Sequence, residues 1–244
     1  MSGNSDFQIL TAIILALFAL VFGLLYFSVK RQKFSGWVAL AYVAALVAYI
    51  LASLRTPSTP MSLIFLSTAM FWIFSFAIAN AIYARCNTSF PNIVTGILLA
   101  AGTASVMWLS YVEPDISTRT LLVNTVAALL LSLSLWPLWK AGDQLIDGAL
   151  FGVIATVAIT FVVRVVVVNF LLGQTLTEQS YAQSTYVWIF QLTNGIAALA
   201  LAMVLMFAAG HDMVLHFHGQ SNRDPLTGLL NRRGLQGLFK VVRV

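Results

Sequence analysis

Seven apolar stretches, each long enough to cross a bilayer, constrain this chain more than anything else in it. A hydrocarbon core takes about 20 consecutive apolar residues of helix to span. Such stretches lie near residues 7–29, 36–54, 61–84, 91–112, 117–139, 145–172 and 182–209. Inside lipid every backbone N–H and C=O must bond within its own segment, so each stretch is expected to be a helix. The charge content agrees: 9% of residues are charged, against about 25% in ordinary soluble domains. The expected fold class is therefore all-α integral membrane, a seven-transmembrane-helix bundle surrounded by membrane lipids. Its short loops leave no room for a water-soluble domain before residue 210, and no internal repeat of the kind that builds many transporters is evident.

Basic residues orient the bundle. Lys30, Arg31 and Lys33 follow the first stretch, whose front carries Asp6 and no basic residue. That order, with an overlong apolar run, argues against a cleavable signal peptide. It places the N-terminus outside and the first loop inside. Arg85 and Lys140 then fall in inside loops, and Glu113, Asp115 and Glu178 fall outside. Arg55 and Arg119 are exceptions. Seven spans bring the C-terminus to the cytoplasm. The net charge of +5 reflects this distribution, with five of the 13 basic residues in the C-terminal tail, and implies no nucleic-acid partner. A single cysteine, Cys86, excludes an intramolecular disulfide and a cysteine-based metal site.

Within the spans, Arg164 is the sharpest residue. A charge there, beside Asn169 in the sixth stretch, costs several kcal/mol unless it is paired, snorkels or meets water. Two readings stand level: snorkelling to the outer headgroups, or a polar pocket for an anionic or carbonyl-bearing ligand, with Glu178 and Glu113 as available partners. Asn80, Asn124 and Asn194 add polar groups in spans three, five and seven, expected mainly as interhelical hydrogen bonds and secondarily as pocket lining. Trp72 sits deeper than the other tryptophans and is expected in the core or lining a pocket. The rest fit an interfacial belt. Gly148, Gly152 and Thr156, and likewise Gly96 and Ala100, form rows of small residues at i+4 spacing. Such rows allow close helix approach, expected first within the bundle and second across a dimer seam. His211, His216 and His218 follow the last span without a complementary ligand set, so no metal site is expected. No lysine lies inside a span, which excludes a retinal Schiff base.

Beyond the seventh span the apolar helical pattern continues through Met213, Val214 and Phe217, with Gly210 and Gly219 expected to interrupt it. Residues 210–219 read as a short cytoplasmic signalling helix, and 219–223 as a hinge. Then comes Asp224-Pro225-Leu226-Thr227-Gly228-Leu229-Leu230-Asn231-Arg232-Arg233. In local terms Asp224-Pro225 starts a turn or helix, Gly228 permits an unusual backbone angle, and Asn231 caps a helix whose apolar positions begin at Leu235.

This stretch resembles the opening signature of the GGDEF domain of diguanylate cyclases, D-x-L-T-G-L-x-N-R-R. All eight fixed positions match: Asp224, Leu226, Thr227, Gly228, Leu229, Asn231, Arg232 and Arg233. An ordinary capped helix start would account for Asp224, Pro225 and Asn231, but not for Leu-Thr-Gly-Leu and the double arginine together. The resemblance implies a division into a seven-helix sensor domain (1–209), a linker (210–222) and the start of a GGDEF domain (223–244). It implies a multi-pass protein of the bacterial cytoplasmic membrane, a homodimer, and an output that joins two GTP to cyclic-di-GMP with Mg²⁺. The metal-binding aspartates and the GG[DE]EF hairpin of that family are not among residues 1–244, so this chain alone is expected to be the input half, without catalytic residues. The expected signal is a small or lipid-like molecule bound between helices. Two other readings remain. One is a stand-alone membrane binding or transport protein with a vestigial GGDEF-like tail, although a transporter would be expected to carry several intramembrane charges and Arg164 is nearly alone here. The other is a sensor for a degenerate cyclic-di-GMP-binding or phosphodiesterase output.

Overall fold

The computed structural model describes residues 2–28, 32–141, 145–167 and 184–221, and every regular element among them is an α-helix. They are α1 (Ser2–Ser28), α2 (Lys33–Ser53), α3 (Met61–Arg85), α4 (Asn92–Tyr111), α5 (Ile116–Ser132), α6 (Leu135–Ala141), α7 (Leu145–Val166) and α8 (Thr185–Ser221). Seven segments among the described residues are long and apolar enough to cross a membrane, one of them combining α5 and α6 as Ile116–Ala141. Asn169, Glu178 and the GGDEF-like residues 224–233 lie outside the described residues.

Each span is apolar nearly all round, so core-facing and lipid-facing sides differ by shape rather than polarity. On α1, Leu15 and Phe22 are buried while Ile13, Leu17, Leu20 and Leu24 are exposed. Such an apolar exterior suits lipid and would be a liability in water. The core is stitched by aromatic and small-residue contacts. Phe18 and Phe22 of α1 meet Tyr42 of α2 at ring separations of 5.7 and 6.0 Å. Phe71 of α3 meets Phe161 of α7 at 4.9 Å. Trp72 is buried in α3 and donates its Nε1 hydrogen to the Val123 carbonyl of α5 at 3.0 Å. Its ring lies so close to Gly102 of α4 that a Cβ there would come within 3.0 Å of it.

The fifth span is broken, which the apolar pattern alone does not foretell. Pro137 has no N–H to give the carbonyl four residues back, Leu133. The chain therefore leaves α5 at Ser132 and turns through Leu133 and Ser134. Both the amide and the hydroxyl of Ser134 donate to the Leu131 carbonyl, at 3.0 and 2.6 Å. It re-enters as α6 with Pro137 in the first turn, where a missing N–H is tolerated.

Asp115 starts α5. Its carboxylate accepts from the backbone N–H groups of Ser117 (2.9 Å) and Thr118 (3.2 Å) and from the Thr118 hydroxyl (2.5 Å). The Thr118 hydroxyl bond is the largest influence holding its carboxyl below the ordinary carboxylate range. Asp115→Ala is expected to cost about 1 kcal/mol, read as a lower thermal midpoint in detergent. A depressed folded-state pKa means that the cap contributes fully at neutral pH and fades as pH falls through that lowered value. The gap between parent and variant should therefore close on acidification.

Two expectations are corrected here. The first concerns the small-residue rows. Gly148, Gly152 and Thr156 on α7, and Gly96 and Ala100 on α4, face outward from the bundle, and a Cβ on any of the three glycines would meet nothing within 4 Å. Among the described residues they bring no two helices of one chain together. The close approaches fall instead at Gly102, at Gly36 against Tyr26, and at Gly195, where a Cβ would sit 2.9 Å from the Thr11 hydroxyl of α1. The second concerns the linker. Residues 210–219 are not a separate helix, because α8 continues through Gly210 and Gly219 to Ser221. A glycine weakens a helix by about 1 kcal/mol but does not by itself end it. The chain divides into two compact units, Met1–Val204, which holds the bundle core described above, and Leu205–Val244, which begins with the remainder of α8.

Candidate functional site

Arg164 does not snorkel. It is 3% exposed and turned into the bundle. Its Nε and Nη2 both donate to Asn124 Oδ1 of α5, at 3.2 and 2.5 Å. Its Nη1 donates to Asn194 Oδ1 (2.9 Å) and Thr193 Oγ1 (3.4 Å) of α8. The guanidinium carbon lies 5.0 Å from the centre of the Phe161 ring and 4.5 Å from that of Phe190. Cation–π attraction of this kind contributes about 2 kcal/mol when desolvated. A delocalised, weakly hydrated guanidinium suits such a place better than an ammonium would.

The asparagine is held ready for this role. Asn124 Nδ2 donates to the Thr120 carbonyl one turn back at 2.8 Å, which fixes the amide so that its oxygen faces Arg164. Asn124 is itself 2% exposed. Three of the singled-out residues, Arg164, Asn124 and Asn194, thus form one polar knot joining α5, α7 and α8. Asn80 does not join it. Its Nδ2 donates to the Phe76 carbonyl of its own helix at 2.9 Å. Trp72 lines a separate cavity between α3 and α4, with Phe65, Thr103 and Met107. Glu113 is exposed and stands within 3.5 Å of Trp108 Nε1.

Two cavities flank the knot. The first holds about 650 Å³ of empty space, counting the part open to the outside. It lies at the end of the bundle where α2 finishes and α3 and α5 begin. Arg55, Arg119, Thr59, Thr120 and Asn124 are among its walls. The second holds about 590 Å³ on the same measure and is mostly apolar, with Leu15, Tyr49, Phe74, Val157, Phe161 and Leu201 in its lining, and Asn194 at one side. The two share Ala52, Ser67, Phe71 and Phe190. Four groups that touch Arg164 therefore face one cavity or the other: Asn124 the first, Asn194 and Phe161 the second, Phe190 both.

Arg119 was legible only as an exception to the charge asymmetry of the loops. It is 5% exposed, and its Nη1 donates to Ser110 Oγ at 3.3 Å while lying 3.9 Å from Met61 Sδ. The Ser110 hydroxyl donates in turn to the Val106 carbonyl at 2.6 Å, so its oxygen is free to accept from the arginine. The signal that could have identified it is its position in the first turn of a span, four residues after the capping aspartate. There it has to lie against its own bundle or the lipid.

A further pair escaped the sequence reading altogether. Arg85 at the end of α3 and Asp147 in the first turn of α7 form a hydrogen-bonded ion pair, with side chains 8% and 6% exposed. Arg164 is thus not the one buried charge among the described residues, since Arg119, Asp147 and the Arg85 side chain are also buried, each in the first or last turn of its helix. Among the described residues no group of three or more histidine, cysteine or acidic side chains is placed to hold a metal ion. His211 Nδ1 stands 3.7 Å from an Asp212 carboxylate oxygen. No protein-family model, curated protein or solved structure matches the chain.

Proposed function

We propose that this chain is the membrane input module of a diguanylate cyclase, receiving a small or lipid-like signal between its helices and passing it through α8 to a dimeric GGDEF output. The reading rests on one juxtaposition. The helix that supplies Thr193 and Asn194 to the buried arginine runs unbroken to Ser221, and the GGDEF-like residues 224–233 follow it directly in sequence. Its orientation, N-terminus outside and C-terminus in the cytoplasm of a bacterial inner membrane, is inferred from the basic residues of the first loop and from the need for an output domain to meet GTP. GTP and Mg²⁺ belong to the output domain, and no residue of this chain is assigned to them.

Dimerisation is part of the proposal, because a cyclase of this class joins two GTP held by two GGDEF domains. The outward row Gly148, Gly152 and Thr156 offers a seam along which two α7 helices could approach closely. Cyclase control would then be a small change in how paired α8 helices present their outputs.

The test is direct. A longer chain, extending this sequence through a complete GGDEF domain and reconstituted in lipid, is expected to make cyclic-di-GMP from GTP and Mg²⁺. Residues 1–244 alone are expected to make none. Arg164→Ala in the longer chain is expected to shift the rate. A well-folded longer chain that makes no cyclic-di-GMP would favour a second reading, a stand-alone membrane binding or transport protein. The additional buried charges lend that reading some support.

A further inference from the structure

We infer that the two adjacent cavities act as a single binding site for an anionic amphiphile, with its acid head beside Arg55 and Arg119 and its alkyl tail in the neighbouring apolar chamber. The inference names the ligand of the input module proposed above and rests on that reading for its consequence, though not for the binding itself.

Four observations carry it. Arg55 and Arg119, which break the usual charge asymmetry of the loops, converge on one cavity although they are far apart in sequence. Polar groups suited to an acid head, Thr59, Thr68, Thr120 and Asn124, stand around the same cavity. The adjoining chamber changes character within a few residues to leucine, phenylalanine, valine and alanine. Finally, the two chambers share Ala52, Ser67, Phe71 and Phe190 among their lining residues, which sets a polar end and an apolar end side by side. Two arginines favour a planar carboxylate or a phosphate, which guanidinium groups bind in bidentate fashion. They disfavour a cationic or neutral head.

Such a ligand would touch Arg164 only indirectly. Its head would reach Asn124, and its tail would lie against Phe161 and the Asn194 side of α8. Occupancy would therefore bear on three of the groups that hold Arg164.

Two sources offer this chemistry: a free long-chain acid, and an anionic phospholipid of the bilayer. The experiment uses the 244-residue chain in nanodiscs of phosphatidylcholine and measures binding of radiolabelled palmitate by equilibrium dialysis against protein-free discs. Specific, saturable binding is expected. The methyl ester of the same chain length should compete at least tenfold less well, a difference of about 1.4 kcal/mol. The hexadecyl trimethylammonium cation and acetate should compete negligibly. Arg55→Gln should weaken palmitate at least tenfold. Val157→Trp, which narrows the tail chamber and leaves both arginines in place, should do the same, with a monodisperse elution profile showing that each variant is folded.

If discs containing phosphatidylglycerol remove the palmitate signal, the site is confirmed and its occupant is a bilayer lipid. If palmitate remains bound in them, the occupant is the free acid. Ester and acid binding alike, or the ammonium competing as well as the acid, overturns the inference whatever the variants do. Because the readout is binding, its failure leaves cyclic-di-GMP production by the longer chain untouched. Conversely, failure of cyclase activity would leave bound palmitate unexplained by signalling but still bound.

Discussion

Asn124→Leu and Arg164→Met are each expected to destabilise the bundle, by about 3 kcal/mol or more, and the double variant is expected to lose clearly less than the sum of the two. Removing Asn124 takes away the oxygen that accepts two of the guanidinium's hydrogen bonds and leaves the charge in place inside a low-dielectric interior. A hydrogen bond to a charged group contributes about 1.5–3 kcal/mol. Arg164→Met instead removes the charge together with its desolvation penalty and keeps most of the volume. What it leaves behind is neutral: the amide oxygens of Asn124 and Asn194, at about 1–3 kcal/mol for each buried group left unsatisfied. Putting leucine at 124 and methionine at 164 exchanges the main polar contact for an apolar one, which is often close to neutral. Thermal midpoints of all four proteins in the same lipid would decide it. Additive losses would mean that the arginine and the asparagine do not act as a unit.

The Arg85–Asp147 pair should show the same asymmetry at the other end of α7. Asp147→Leu leaves a buried guanidinium without its carboxylate, and Arg85→Met leaves a buried carboxylate without its guanidinium. Each is expected to cost about 3–5 kcal/mol. The pair of substitutions together should fall far closer to the parent than either alone. The aspartate variant carries a second, smaller loss. A carboxylate in the first turn of a helix is favoured by the helix dipole, by about 0.3–1 kcal/mol, so Asp147→Leu should be somewhat worse than its sequence-distant partner's variant. The measurement is the fraction of protein still monodisperse after a graded heat step. A double-variant loss equal to the sum of the two single losses would show that the contact contributes no coupling.

Much of the bundle was legible because crossing a bilayer is a demand of length and composition, and both are written along the chain. The start of α3 at Met61 fell where the apolar run began. Pairwise facts were not legible. Asn124, Arg164 and Asn194 each stood out as polar residues in an apolar span, yet nothing local says that residues 40 and 30 positions apart share one hydrogen-bond centre. Arg55 and Arg119 were read as blemishes in a charge count, because a count along a line cannot show convergence in space. Gly148 and Gly152 announced close approach without saying to what. On a helix apolar all round, no polarity marks the inner face, and the inner face turned out to be that of Ile154, Val157, Ala158 and Phe161. Asp147 went unnoticed because it lies at a span's beginning, where an acidic residue looks like an ordinary helix start.

The way α8 is held limits how it can move. Thr193 and Asn194 meet Arg164 of α7, Gly195 lies under Thr11 of α1, and the Ala198 carbonyl accepts from the Tyr42 hydroxyl of α2 at 2.8 Å. A carbonyl recurs at every residue, so Tyr42 could find another. An asparagine and a glycine do not recur. A piston stroke of four residues would present Phe190 or Ala198 to the arginine, and neither side chain accepts a hydrogen bond. A stroke of three would bring Gln191 level, but about 60° round the helix. The same stroke would drive a larger side chain into Thr11. Axial sliding is thus blocked at two neighbouring residues, Asn194 and Gly195, so any rearrangement of this part of α8 that keeps the arginine satisfied has to leave its position along the helix axis unchanged.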